Sequence, residues 1–301
     1  MDLPPNAADF VQPFQIEGLG LRGRLVRLGP VVRSVVAHHG YPPAVRALMA
    51  ETLALAAVLA SALKYDGVFT LQLRGDGPLS LVVVDITSAG DMRGYARCDA
   101  AAIGDALPAG AASVPRLMGA GTMVFTVDQG PRTERYQGVT ALEGASLSEC
   151  AHGYFRQSEQ VQTAIILVAA PEPDSAGDET RAGICAAALM IQRLAGSDDG
   201  DATADENWHR AVVLMSSVRA DELLSSMLSP AEVLFRLFHE DGVRLFRQRP
   251  LRAGCRCSQA KVERLIATFS PAEITTMADN GRIAVTCEFC KTVYDVAVGA
   301  A

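Results

Sequence analysis

Cys255-Arg256-Cys257 and Cys287-Glu288-Phe289-Cys290 stand near the C-terminus, with residues 258–286 between them. Two close cysteine pairs at that separation let two corners of the chain converge on one metal ion. Four thiolates in a tetrahedron are a preferred ligand set for structural zinc. The intervening sequence is built for a small domain. Ser258 is placed to cap a first short helix, and Ser270-Pro271-Ala272-Glu273 is a capping box with proline at the first helical position. Asn280-Gly281 is expected to end that second helix, and Arg282–Thr286 alternates like a strand leading into C-E-F-C. Cys255, Cys257, Cys287 and Cys290 are therefore the expected ligands of Zn2+. With all four positions filled by protein, no place is left for a substrate water, so the expected zinc is structural and not catalytic.

The first pair is C-x-C, tighter than the C-x-x-C of a zinc ribbon. Each pair is close enough in sequence to form a disulfide if the metal leaves. Arg244, Arg247, Arg249, Arg252 and Arg256 precede or flank the first pair. Cationic neighbours favour the thiolate and would offset the negative charge of a four-thiolate zinc site. The same arginines are equally compatible with a solvated basic face.

Outside this region, composition narrows the possibilities. The chain has 301 residues, 49% of them hydrophobic and 20% charged, which suits one large core with a smaller satellite. Its net charge of −7 opposes nucleic acid and anionic membrane surfaces, and so argues against a DNA-binding finger. The N-terminal residues show neither a basic segment nor an apolar core of the export type. The apolar run Leu53–Leu63 is too short to span a bilayer. Seven cysteines in such a chain point to a reducing compartment, the cytoplasm.

The expected fold class is α+β: a mixed sheet-and-helix domain over 1–175, a helical linker over 176–250 and the zinc-binding domain over 251–301. Gly18-Leu19-Gly20-Leu21-Arg22-Gly23 matches the dinucleotide fingerprint, but it runs into Arg24–Pro30, which alternates like a strand and opens no helix. A hairpin is expected there. Pro42-Pro43 begins a helix, Ala44–Leu63, apolar almost all round and so buried against a sheet. Strands follow at Val68–Arg74, Leu79–Ile86, Met92–Cys98 and Thr122–Asp128. A helix is expected from Ser146 to about Gln157, then a strand, Val161–Ala169. Pro171–Glu179 and Gly196–Asp205 read as polar loops flanking a helix, Arg181–Leu194. Helical periodicity runs through Trp208–Leu228 and Ala231–Glu240, joined at Ser229-Pro230. Their apolar residues, among them Trp208, Leu223, Leu224, Met227, Leu234, Leu237 and Phe238, exceed what exposed linker helices need. These seven are the expected client-binding surface if their packing is conditional.

Catalytic motifs are missing. No P-loop or G-x-S-x-G elbow occurs, and His239-Glu240 is followed by valine at 243 where a zincin helix needs its second histidine. The five histidines form no ligand spacing with a carboxylate. Cys98, Cys150 and Cys185 have no cysteine neighbour and read as buried inert thiols.

With C-x-C and C-E-F-C behind an α+β domain and a helical linker, the chain resembles the redox-regulated chaperone family of heat shock protein 33, the 33 kDa chaperonins. The resemblance covers nearly the whole length. It rests on the cysteine pattern and on Gln72–Pro78, Arg93-Gly94-Tyr95-Ala96, Val127-Asp128-Gln129-Gly130, Arg135-Tyr136-Gln137-Gly138, Tyr154–Gln160 and Leu237-Phe238-His239-Glu240. Departures are an acidic insert near Ser197–Asp205 and a longer loop around Ala100–Pro115. The resemblance implies an ATP-independent holdase and no enzyme. By that resemblance it would be inactive when reduced and zinc-bound, and would be switched on by oxidants such as hypochlorite, or peroxide with heat. It further implies disulfides Cys255–Cys257 and Cys287–Cys290, zinc release, a homodimer when oxidised, and unfolded proteins as partners, with no role for nucleic acid or membrane. A thiol oxidoreductase using C-E-F-C, or a zinc-ribbon protein-interaction module, is the alternative.

Overall fold

The computed structural model describes residues 9–104, 113–130, 133, 135–158, 161–171, 183–194 and 202–298. The loop Pro171–Glu179, the acidic segment Gly196–Asp205 and the loop Ala100–Pro115 lie largely outside the described residues. The chain forms two compact units, Met1–Ala253 and Gly254–Ala301.

In the first unit, β1 (Phe10–Ile16) and β2 (Leu21–Leu28) form an antiparallel hairpin in which Ile16 faces Leu21 and Phe10 faces Arg27. Of the fingerprint-like glycines, Gly18 and Gly20 lie in its turn and Gly23 lies in β2 opposite Phe14. Gly20 takes φ +65°, a conformation that L side chains rarely adopt, so a hairpin and not a phosphate loop explains the glycine there. The hairpin is followed by α1 (Pro30–Val36) and α2 (Pro43–Ala62). By length and composition α2 could cross a membrane, but 83% of its most apolar window is buried within this unit. It is the central core helix.

Next come β3 (Val68–Gly75), β4 (Leu79–Thr87) and β5 (Asp91–Cys98), then the short helices α3 (Ala100–Ile103) and α4 (Val114–Met118). The unit continues with β6 (Gly121–Asp128), β7 (Tyr136–Ala141), α5 (Leu147–Ser158), β8 (Thr163–Pro171) and β9 (Ile184–Arg193). The linker region supplies α6 (Ala202–Ser216), α7 (Ala220–Leu224) and α8 (Pro230–Phe238), then β10 (Val243–Leu245), β11 (Arg249–Pro250) and β12 (Arg252–Ala253). One sheet has the order β10-β1-β2-β9-β8, with β11 also on β1, and the other β12-β5-β4-β3-β6-β7. Helix α2 packs between the two sheets. Helices α6, α7 and α8 cover the outer face of the first sheet.

Two expectations fail for physical reasons. Arg181–Leu194 was expected as a helix, but Ile184–Arg193 is the strand β9, and Cys185 lies in it. Its alternate residues face two cores, Ala186, Ala188 and Met190 toward α2 and Ala187, Leu189 and Ile191 toward the outer helices. A strand buried on both faces loses its two-residue alternation and reads as a continuous apolar run. The expected helix Trp208–Leu228 is broken after Ser216. The hydroxyls of Ser216 and Ser217 donate to the Val212 and Leu214 carbonyls, at 2.7 and 2.6 Å. The chain restarts at α7, where Glu222 accepts from the Arg219 N–H at 3.1 Å.

One residue ties this helical layer to the sheet. Arg27 of β2 is buried, and its guanidinium donates to the carbonyls of Leu223 at 2.7 Å, of Glu222 at 3.1 Å and of Leu228. These carbonyls lie at the end of α7 and in the turn before α8, where helical partners are lacking. The buried cation thus substitutes for the missing backbone donors.

Candidate metal centre

The second unit is small. Its helices are α9 (Gln259–Ile266) and α10 (Pro271–Met277), and its strands β13 (Arg282–Thr286) and β14 (Val293–Ala297) form a hairpin. Ser258 Oγ accepts from the Lys261 N–H, and Ser270 with Glu273 forms the reciprocal capping box. Asn280 and Gly281 adopt φ 50° and 73° between Asp279 and Arg282, which exchange 2.9 Å backbone hydrogen bonds. This is a tight turn into β13 rather than a helix cap, since α10 already ends at Met277. The core consists of Val262, Ile266, Ile283 and Val296, with a few half-buried neighbours.

The strand β13 delivers Cys287 to a turn closed by Cys287 N–H to the Thr292 carbonyl and Lys291 N–H to the Cys287 carbonyl, both 2.9 Å. Cys255 and Cys257 lie just before α9. The four sulfurs all fall within 4.8 Å of one another. Cys255 and Cys287 are 3.7 Å apart, and Cys257 and Cys290 are 3.4 Å apart. A tetrahedral ion with metal–sulfur bonds of about 2.3 Å needs sulfurs roughly 3.8 Å apart, so the donor set and its spacing fit a metal ion.

Hydrogen bonds position the sulfurs. The Tyr294 hydroxyl donates to Cys257 Sγ at 3.0 Å, and Thr292 Oγ1 lies 3.2 Å from Cys290 Sγ. Burial pushes the Cys257 thiol up to about 12, with the other three thiols adding to the effect. Burial also opposes ionisation of Cys290, but the Thr292 hydroxyl and N–H, with Cys257 and Cys255, outweigh it and pull that thiol down to about 6. Four thiols this close cannot share four negative charges unaided, and a cation among them removes that conflict. Thr292 and Tyr294 escaped the sequence reading, because no motif spacing marks residues that serve the sulfurs and not the metal.

Two of the five arginines near the first cysteine pair, Arg244 and Arg252, have partners of their own. None of the shifts at Cys257, Cys287 or Cys290 arises from an arginine. In the first unit Arg244 faces Glu17 and lies over the Phe246 ring, and Arg252 pairs with Asp91 at 2.6 Å. Cys98, Cys150 and Cys185 are thiols pushed up by burial, Cys150 to about 11, as suits inert positions.

Of the seven expected client-binding residues, six lie against the first sheet. Leu223, Leu234 and Phe238 are fully buried, Leu237 nearly so, and Trp208 and Leu224 are partly buried. Met227 is 84% exposed and stands apart from them. Phe235 and Val213, not singled out in the sequence, are also exposed on this layer.

Fold and cluster together define a class: an α+β protein carrying a small C-terminal unit with a four-cysteine, metal-type site. Comparison with known proteins narrows the class. The Hsp33 protein family matches residues 9–297. The 33 kDa chaperonin of Caulobacter vibrioides is 40% identical over 300 residues, spanning 97% of each chain. That of Ectopseudomonas mendocina is 35% identical over 289 residues, spanning 95% of this chain and 91% of its own. A crystal structure of the Thermotoga maritima 33 kDa chaperonin superposes with a TM-score of 0.78, covering 96% of this chain and 95% of that one. At 20% identity this last likeness speaks for the fold alone. The chain belongs to the Hsp33 family, a family of chaperones.

Proposed function

We propose that this protein is a redox-regulated chaperone that holds unfolding proteins without ATP, is silent when reduced and is activated by thiol oxidation in the cytoplasm. The observation that carries the reading is the convergence of four sulfurs within 4.8 Å in a unit whose core has only four buried side chains. Such a core is too small to hold a fold alone, so its stability falls to the cross-link between Cys255, Cys257, Cys287 and Cys290. Zn2+ is the ion this soft, closed, four-thiolate set suits, and when bound it supplies that cross-link and no catalysis.

Oxidation removes the charge that holds the cation. Each pair of thiolates gives up two electrons to one peroxide, which takes two protons from solvent, forming one disulfide and two waters. Sulfurs paired as Cys255–Cys257 and Cys287–Cys290 are no longer thiolate ligands, and the second unit then unfolds. The helical layer α6–α8 opens in the same transition and bares the apolar residues it now presses on the sheet. Two such exposed faces pair in a homodimer or take up an unfolded client.

Light scattering of a chemically unfolded client tests the reading. Reduced, zinc-loaded protein should leave aggregation unchanged, and the same protein after peroxide and mild heat should suppress it at near-equimolar ratio. Equal suppression in both states would overturn the switch. Turnover of a disulfide substrate without suppression would instead indicate an oxidoreductase.

The order of oxidation is a separate expectation. A disulfide within C-x-C closes a small, strained ring, so Cys287–Cys290 should form first and Cys255–Cys257 only as the unit unfolds. The short Cys257–Cys290 approach makes a crossed bridge the competing product. Peptide mapping along an oxidation time course decides between them, and a dominant crossed bridge would refute this order.

A further inference from the structure

A cleft of about 1150 Å³ opens in the first unit between the β1–β2 hairpin, the end of α2 and the segment 246–251. Arg22 and Arg24 enter it from β2, where two-residue spacing puts them on one face. Lys64 follows α2, and Arg247 and Arg249 come from the segment that runs along β1. No aspartate or glutamate is among the residues lining the cleft.

What marks these five cations is that they gather in one cleft that offers them no counter-charge. Arg27, Arg93, Arg210 and Arg252 all have carbonyl or carboxylate partners. Among the described residues, the side chains of Arg22, Arg24, Lys64, Arg247 and Arg249 have no hydrogen bond and no ion pair. The Nε of Arg22 and the Nε and Nη1 of Arg24 are shut off from solvent without an acceptor. A buried donor left unpaired is destabilising, and more so when it is charged. Burial, with Arg22 and Arg249 close by, pulls the Arg24 guanidinium down to about 10, as expected where cations crowd without counter-charge.

An acceptor-only group with several charges resolves all of this at once. Guanidinium forks match phosphate oxygens two at a time, and the cleft is far larger than one phosphate needs. We propose that the cleft is a binding site for a linear triphosphate group, gripped by Arg22, Arg24 and Arg249, with Lys64 and Arg247 at its rim. The bound anion would tie the segment 246–251 to β2, adding to the Gln12 Nε2 to Phe246 carbonyl bond of 2.6 Å and the short β11 pairing. That segment leads directly into the second unit at Gly254. Ligand binding should therefore raise the melting temperature of the first unit.

Calorimetric titration of the full-length reduced protein tests this, with inorganic tripolyphosphate, ATP and inorganic phosphate as separate titrants. Saturable one-site binding of tripolyphosphate is expected, weakening as salt rises. Comparable binding of ATP would mark the source as a nucleotide, and binding of tripolyphosphate alone an inorganic chain; either supports the site. Arg24→Gln and Arg249→Gln should each weaken binding by at least ~10-fold, Arg24→Lys by less, and Arg116→Gln, at an exposed position of α4, not at all. Arg249 is exposed, so its substitution leaves the fold intact. The proposal fails if neither triphosphate binds saturably, if phosphate binds as tightly as tripolyphosphate, or if Arg249→Gln binds like the parent protein.

Discussion

Cys287→Ser protein should be isolated without metal, with residues 254–298 melted and the first unit still folded. A structural zinc site supplies on the order of 10 kcal/mol of apparent folding free energy, and a three-thiolate remnant forfeits much of it. The second unit has little else to draw on. Its buried core is Val262, Ile266, Ile283 and Val296, and the N-caps at Ser258 and Ser270 contribute about 1 kcal/mol each. The first unit keeps its own two cores around α2 and under α6–α8. Elemental analysis gives the metal content, and hydrogen exchange resolved by segment gives the folding of each unit. Rapid exchange confined to 254–298 is the expected pattern. Full zinc retention, or protection of that unit without metal, would show that the four cysteines are not its organising element.

Leu234→Asn should convert the reduced, metal-loaded protein into an active chaperone without oxidant. Leu234 is completely buried under the first sheet, and loss of such a side chain costs roughly 2–5 kcal/mol before the added amide is left unpaired. That is comparable with what holds a short helical layer, so the open state becomes populated. Arg27→Gln reaches the same state by another route. It leaves the carbonyls of Glu222, Leu223 and Leu228 short of donors, at about 1–3 kcal/mol for each one that stays buried. Both variants should suppress client aggregation when reduced, with Trp208 emission shifted to the red and cleavage by protease between 205 and 250. If both stay inactive until oxidised, with parental protease resistance there, α6–α8 are ordinary core and the switch lies elsewhere.

Much of the molecule is written in local sequence. The paired cysteines, the N-cap at Ser258 and the capping box at Ser270, the alternating strands Val68–Gly75 and Leu79–Thr87, and the apolar helix α2 all follow from spacing and short-range chemistry. Each depends on residues within a few positions, or on a metal ion that demands the same ligands in any fold.

What only tertiary structure decided is who packs on whom. Ile184–Arg193 has the composition of a buried helix or a buried strand alike, and only a place between α2 and the outer helices makes it β9. Arg27 and Arg24 are three residues apart on one strand, yet one is satisfied by the carbonyls of α7 and the turn beyond it while the other stands unpaired in the cleft. Their partners, or the lack of them, come from segments roughly two hundred residues away, and nothing local in a sequence specifies that distance.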